Sequence, residues 1–187
     1  MNSDAARSSN GHRHGPGTFR IVVTGSECTG KSTVARQLAD RYDAECVPEF
    51  VRQFAHTMGG RLQFSDHGPI ARGQMGLEDE FLARANGLLV HDTDLISTVV
   101  YCRHYFGRCP EWIEAAAADR RGDLYFLCDI DVPWVADGMR DRPERREEMH
   151  QLFVDAANEF ETNWHLLSGD EPGRLERAAA LVDSHRR

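Results

Sequence analysis

The chain has 187 residues, 41% of them hydrophobic and 28% charged, which is enough to bury the core of one domain without disulfide or metal staples. With 30 acidic against 22 basic residues the net charge is −8, which argues against a nucleic-acid binder that works by neutralising phosphates. The five cysteines are scattered without the short paired spacings of zinc or redox motifs. No apolar run reaches the roughly 18 residues of a membrane span, and no signal-peptide core opens the chain, so a reduced, soluble, cytoplasmic protein is expected.

Residues 1–17 are rich in Ser, Gly, Asn, Arg and His without periodicity and read as a disordered tail, His12 and His14 included. A single domain is expected over residues 18–187. Its first strand, Phe19-Arg20-Ile21-Val22-Val23-Thr24, runs into Gly25-Ser26-Glu27-Cys28-Thr29-Gly30-Lys31-Ser32, with Thr33 in the helix that follows. Two glycines, a lysine and a hydroxyl at these offsets form a phosphate-binding loop. Gly25 and Gly30 let the backbone turn its N–H groups to phosphate oxygens, Lys31 reaches the terminal phosphates, and Ser32 is placed to ligate magnesium.

The helix from Lys31 to about Arg41 carries Val34 and Leu38 on one stripe, and a short strand over residues 44–47 leads to Pro48-Glu49-Phe50-Val51-Arg52-Gln53-Phe54. Glu49 thus sits at a strand's carboxyl end, where open parallel sheets bind ligands. A helix over residues 69–85 has Ile70, Leu77 and Phe81 on one face with Gln74 among them, a residue that needs partners inside the protein or on a planar substrate group.

A third strand ends in His91-Asp92-Thr93-Asp94, the form expected of the acidic element beside magnesium, although Asp94 is equally placed to cap the helix starting at Leu95. That helix carries Tyr101 and stops at Gly107, and another follows from Pro110 to about Arg120. After a fourth strand, residues 124–129, the segment 131–146 holds Gly138 and Pro143 and four arginines within seven residues: Arg140, Arg142, Arg145 and Arg146. It reads as a lid whose Arg140 and Arg142 close over a triphosphate, with Arg145 and Arg146 as able to face solvent on the next helix. That helix runs to about Glu161, a fifth strand covers residues 164–168, residues 169–173 form a turn of the kind against which adenine packs, and a closing helix spans residues 174–183.

Five strands alternating with helices imply a P-loop NTPase fold, a five-stranded parallel sheet with helices on both faces, like a nucleoside or nucleotide kinase with a lid. The loop from Gly25 to Ser32, Glu49 with Arg52 and Phe54, Asp92-Thr93-Asp94, and Pro133-Trp134-Val135-Ala136-Asp137-Gly138-Met139-Arg140 together resemble the NadR-type ribosylnicotinamide kinase domain of the P-loop ATPase-like kinases, from Phe19 to about Val182. Two features depart from that pattern. The NadR-type adenylyltransferase domain has no counterpart in this sequence, so adenylyl transfer is not expected of it. Pro48 stands where the family has an aromatic residue suited to stacking on nicotinamide.

The resemblance implies transfer of the terminal phosphoryl of ATP, with Mg2+, to the 5′-hydroxyl of nicotinamide riboside, giving nicotinamide mononucleotide for NAD salvage. Lys31, Arg140 and Arg142 would stabilise charge, and Asp92 or Glu49 would take the hydroxyl proton. Ser32 and Asp92 would face the metal, and Glu49, Arg52, Gln74, Asp94, Tyr101 and Trp134 would surround the small-molecule acceptor. A kinase for another nucleoside or nucleotide, or a nucleotide-dependent regulatory ATPase, shares the same phosphate-handling residues. Neither nucleic acid nor membrane is expected as a partner.

Overall fold

The computed structural model describes residues 17–59, 62–133 and 145–186. Five parallel strands form one sheet in the order β2-β3-β1-β4-β5: β1 Phe19–Thr24, β2 Glu45–Val47, β3 Leu88–Asp92, β4 Leu124–Cys128 and β5 Trp164–Leu167. Helices α1 Lys31–Arg41, α2 Phe50–Met58, α3 His67–Arg84, α4 Leu95–Phe106, α5 Glu111–Asp119, α6 Arg146–Glu159 and α7 Glu171–His185 connect or flank them. The expected architecture is present. The domain division itself turns on residues 1–16, which lie outside the described residues.

The central strands are nearly continuous apolar runs because both faces of a parallel sheet are covered. Ile21, Val23, Val90, Leu124 and Phe126 pack with Val34, Leu38, Ala178 and Val182 of α1 and α7. On the other face Val22, Tyr125 and Leu127 meet Leu95, Val99, Ile113, Phe153 and Phe160 of α4, α5, α6 and the residue after it. Val23 pairs with Asp92 and Thr24 with Leu127, so the carboxyl ends of β3, β1 and β4 finish side by side.

Several local expectations change. Helix α2 was legible neither as a helix nor by its bounds, although Val51, Phe54, Ala55 and Met58 follow helical spacing and Gly59 ends it at φ 62°. Its Phe50 ring packs on the bare Cα of Gly73 in α3, where an added Cβ would fall 2.1 Å from the ring. Helix α7 starts at Glu171 rather than Arg174: Asp170 caps it by accepting from Gly173 N at 3.0 Å, and Pro172 sits in the first turn. The buried stripe of α3 runs through His67, Ile70, Ala71, Gln74 and Glu78, leaving Leu77 and Phe81 half-buried.

At the end of that stripe Glu78 enters a buried ionic cluster. Glu78 accepts from Arg120 Nε at 2.8 Å and lies 3.7 Å from Arg20 Nη2, while Arg20 Nε donates to His91 Nε2 at 3.4 Å. Burial pushes the Glu78 carboxyl up against the pull of Arg120 and Arg20. Burial, then Arg20 and Arg120, hold the wholly buried His91 well below its ordinary value, so it is a neutral acceptor for Arg20. The cysteines are all thiols, and no helix among the described residues is long and apolar enough to cross a membrane.

The His91 shift has a defined sign. An unfolded chain takes up a proton near pH ~6.5 and the folded chain does not, so this group's effect is absent above that pH and destabilises the fold below it. His91→Gln keeps an acceptor for Arg20 without titrating. Its stability deficit against the natural chain, measured by urea unfolding, should shrink from pH 7.5 to pH 5 by up to about 1.4 kcal/mol per pH unit; a constant deficit would mean that His91 takes up its proton equally in the folded and unfolded chain, and a growing one that it is charged in the fold.

Candidate active site

The phosphate loop joins β1 to α1 with three residues in left-handed or glycine-type backbone: Gly25 at φ 135°, Cys28 at 54° and Gly30 at 81°. Gly30 is the N-cap of α1 and offers no side chain, so the first N–H groups of the helix are not capped by their own cap residue. This is the arrangement that receives anionic oxygens, favoured further by the positive helix end. Gly25 is required twice over, since a Cβ there would also meet Cys128 O at 3.0 Å.

Inside the loop, Ser26 O accepts from Lys31 Nζ at 2.7 Å and from Thr29 Oγ1 at 2.8 Å. Lys31 and Thr29 are buried, as is Ser26, whose Oγ has no hydrogen-bond partner among the described residues. Glu27 and Cys28 are half-buried at the crest, and Thr33 lies in the first turn of α1.

Asp92, the last residue of β3, is 8% exposed and hydrogen-bonded to the Ser32 side chain. Burial pushes its carboxyl up, Ser32 lowers it, Glu49 raises it and Lys31 lowers it. Its Oδ1 has no hydrogen-bond partner among the described residues. A buried carboxylate with a bare oxygen beside a serine hydroxyl supplies the hard oxygen donors that suit Mg2+, which takes one or two protein ligands and completes its shell with phosphates and water. No group of three or more His, Cys, Asp or Glu able to hold a metal occurs among the described residues.

Glu49 occupies the N-cap position of α2 in extended backbone without a side-chain capping bond, is 9% exposed and accepts from Arg52 Nε at 2.5 Å. Next to it, the N–H of Phe50 donates to Gln74 Oε1 at 2.9 Å. That bond fixes the amide orientation: Gln74 Nε2 is the donor left over, buried and without a partner among the described residues.

The loop, Ser32, Asp92, Glu49, Arg52 and Gln74 therefore gather around the ends of β1, β2 and β3. Asp94 serves elsewhere, because Oδ1 caps α4 through Ile96 N at 3.1 Å and Oδ2 accepts from Tyr125 Oη at 2.7 Å. Tyr101 is buried in the core, its ring stacked with Tyr105 at 6.3 Å and edge-on to Phe153 at 5.6 Å. Trp134, Arg140 and Arg142 lie outside the described residues, as do His12 and His14.

Two arginines that the sequence did not single out for the loop hold its backbone. Arg146, at the start of α6, donates to Cys28 O at 3.2 Å and Val132 O at 2.7 Å, while its neighbour Arg145 is half-buried and bonded to Glu148. Arg174, 1% exposed in α7, donates to Thr29 O at 2.6 Å, Gly169 O at 2.9 Å and Asp129 O at 3.0 Å, and to the Asp131 carboxylate. The available signal was its place near a helix N-terminus, where the helix field disfavours a cation.

The sheet order and the loop between β1 and α1 define a P-loop fold of the nucleoside and nucleotide kinase type. A family model described as AAA domain matches residues 20–174, and the chain belongs to that family. Over 169 residues it is 32% identical to the trifunctional NAD biosynthesis/regulator protein NadR of Salmonella typhimurium (strain LT2), covering 87% of this chain and 41% of that protein. The chain thus spans about two fifths of the length of the curated relatives it matches. Among solved structures it is similar to the NadR protein in complex with NR, with TM-score 0.79 and 24% identity over 89% of this chain and 51% of that one. The fold is shared more widely: thymidylate kinase from Ehrlichia chaffeensis superposes with TM-score 0.64 at 17% identity, over 89% of this chain and 100% of that one. The NadR resemblance drawn from the motifs is thereby shown.

Gly25→Ala tests the loop's backbone directly. Its left-handed φ and the 3.0 Å approach to Cys128 O should cost about 1–3 kcal/mol of stability, read as a lowered urea midpoint. An unchanged midpoint would show that the turn relaxes freely.

Proposed function

We propose that this chain transfers the terminal phosphoryl of ATP to the 5′-hydroxyl of nicotinamide riboside, giving nicotinamide mononucleotide. The observation that carries a phosphotransfer reading is the convergence of an uncapped, glycine-turned helix start with Lys31, the Ser32–Asp92 pair and Glu49 at adjacent strand ends. The choice of acceptor is supported by the similarity to NadR, a protein of NAD biosynthesis, and to its structure in complex with NR.

Positioning and charge neutralisation are the main catalytic contributions in such transfers. Backbone N–H groups from Gly25 to Thr33 hold the phosphate chain, and Lys31 leaves Ser26 O for the terminal oxygens. Ser32 and Asp92 would hold Mg2+, which supplies charge neutralisation on the phosphates. The acceptor oxygen attacks the terminal phosphorus, the bond to the bridging oxygen breaks, and ADP leaves. With Asp92 assigned to the metal alongside Ser32, Glu49, oriented by Arg52, is proposed to take the hydroxyl proton. Gln74 Nε2, with its amide locked by Phe50, donates to a carbonyl oxygen of the acceptor such as a carboxamide. Arg140 and Arg142 are proposed to close on the phosphates from the segment after β4.

A coupled assay over a nucleoside panel tests the acceptor. Nicotinamide riboside should be the preferred acceptor, and Lys31→Ala should abolish transfer without lowering the melting temperature. Turnover of other nucleosides but not this one would make the chain a different nucleoside kinase, and acceptor-independent hydrolysis as fast as any stimulated rate would make it a regulatory ATPase.

The acceptor-side roles separate kinetically. Glu49→Gln should lower kcat by about 10²–10⁴-fold. Gln74→Leu should instead raise the acceptor KM about tenfold with the ATP KM unchanged. A Glu49→Gln variant of normal kcat would return the proton to Asp92.

A further inference from the structure

Arg174 is the largest of the fully buried side chains among the described residues, and its guanidinium serves the main chain. Three of its acceptors are the carbonyls of Thr29, Gly169 and Asp129, and the fourth is the carboxylate of Asp131, which itself accepts from Gly169 N. One planar fork thus joins the crest of the phosphate loop, the exit of β4 and the turn between β5 and α7. A trans peptide points its N–H opposite to its C=O. Pulling Thr29 O inward onto Arg174 therefore turns Gly30 N–H outward, away from the fold interior. The same logic applies one residue earlier, where Arg146 holds Cys28 O and so sets Thr29 N–H, and at Ser26 O, which Lys31 and Thr29 take. Arg174 differs from the half-buried Arg146 in being buried, and from all of these in contacting the β5–α7 turn as well.

We propose that Arg174 is a positioning residue for the nucleotide: it sets the Thr29–Gly30 peptide so that Gly30 N–H faces the phosphates, and ties that peptide to the β5–α7 turn and to the root of the 131–146 segment. It touches neither substrate. Preorganised donors need no rearrangement when charge arrives, which is why fixing their carbonyl side from behind raises affinity for anionic oxygens. The inference rests on the reading of the loop as a nucleotide site and does not depend on which acceptor is phosphorylated.

Arg174→Lys keeps the buried charge but not the fork, since a compact ammonium cannot span carbonyls on three separate segments. Asp131→Asn removes the charge partner while leaving the fork in place. Affinity for a non-hydrolysable ATP analogue is measured with magnesium and without acceptor, alongside melting curves and steady-state kinetics. Arg174→Lys should weaken the analogue Kd about tenfold or more, with the acceptor KM within about twofold of the natural chain. Asp131→Asn should weaken it less, and the double variant should be no worse than Arg174→Lys alone, because both act on one contact. A merely structural role would lower the melting temperature and the active fraction while leaving Kd unchanged. That outcome, or an equal rise in acceptor KM, overturns the proposal. Failure of the unaltered chain to bind the analogue overturns the nucleotide reading itself and this proposal with it.

Discussion

The parallel pairing of β1 with β3 on one side and β4 on the other is the constraint on which the rest depends. Register places Val23 beside Asp92 and Thr24 beside Leu127, and Thr93 N donates to Val23 O at 2.9 Å just beyond the pairing. Strand ends that finish together create the only kind of crevice where a loop leaving β1 can share a ligand with a carboxylate leaving β3. Because β1 is covered on both faces, Ile21, Val22 and Val23 are wholly buried, and the loop is anchored on a fully packed strand.

Polar groups are buried around this anchor in two places with different consequences. Under α3, Arg20, Glu78, Arg120 and His91 pair with one another on the α3–α5 face of the sheet, leaving Glu78 Oε1 and His91 Nδ1 without a hydrogen-bond partner among the described residues. A buried ion pair is weak evidence for stability, since desolvation offsets most of its attraction. Its effect is geometric: it fixes how α3 sits on β1 and β3, and α3 carries Gln74 to Phe50. Behind the phosphate loop, Arg146 and Arg174 take carbonyls, so their effect falls on backbone N–H orientation. Asp94 belongs to the first group, since it binds the start of α4 to Tyr125 of β4.

The strands, the phosphate loop, most helices and the sheet class were legible because each is written in contiguous residues. A strand buried on both faces must be an unbroken apolar run, and a loop that turns its N–H groups inward needs glycine at set positions. Helix α2 was less legible. Its apolar spacing is short, it follows a proline and a glutamate, and its stability comes from Phe50 lying on Gly73, a contact that only the docked α3 supplies. The start of α7 was written in Asp170 and Pro172, but the cluster of Gly, Asp, Glu and Pro also satisfies a turn, and local propensity alone does not separate the two.

Taken alone, the sequence determined the P-loop class, the order of the five strands along the chain, and Lys31, Ser32, Glu49 and Asp92 as the residues at their carboxyl ends. These follow from local periodicity and from short motifs whose chemistry demands particular side chains at particular offsets. Tertiary structure alone decided that Gln74 is locked by Phe50, that Asp94 is occupied as a cap and by Tyr125, that Tyr101 packs into the core, and that Arg146 and Arg174 stand behind the loop. Those outcomes depend on partners as far apart in sequence as Thr29 and Arg174, 145 residues, and a pairing at that distance leaves no periodic trace in either segment.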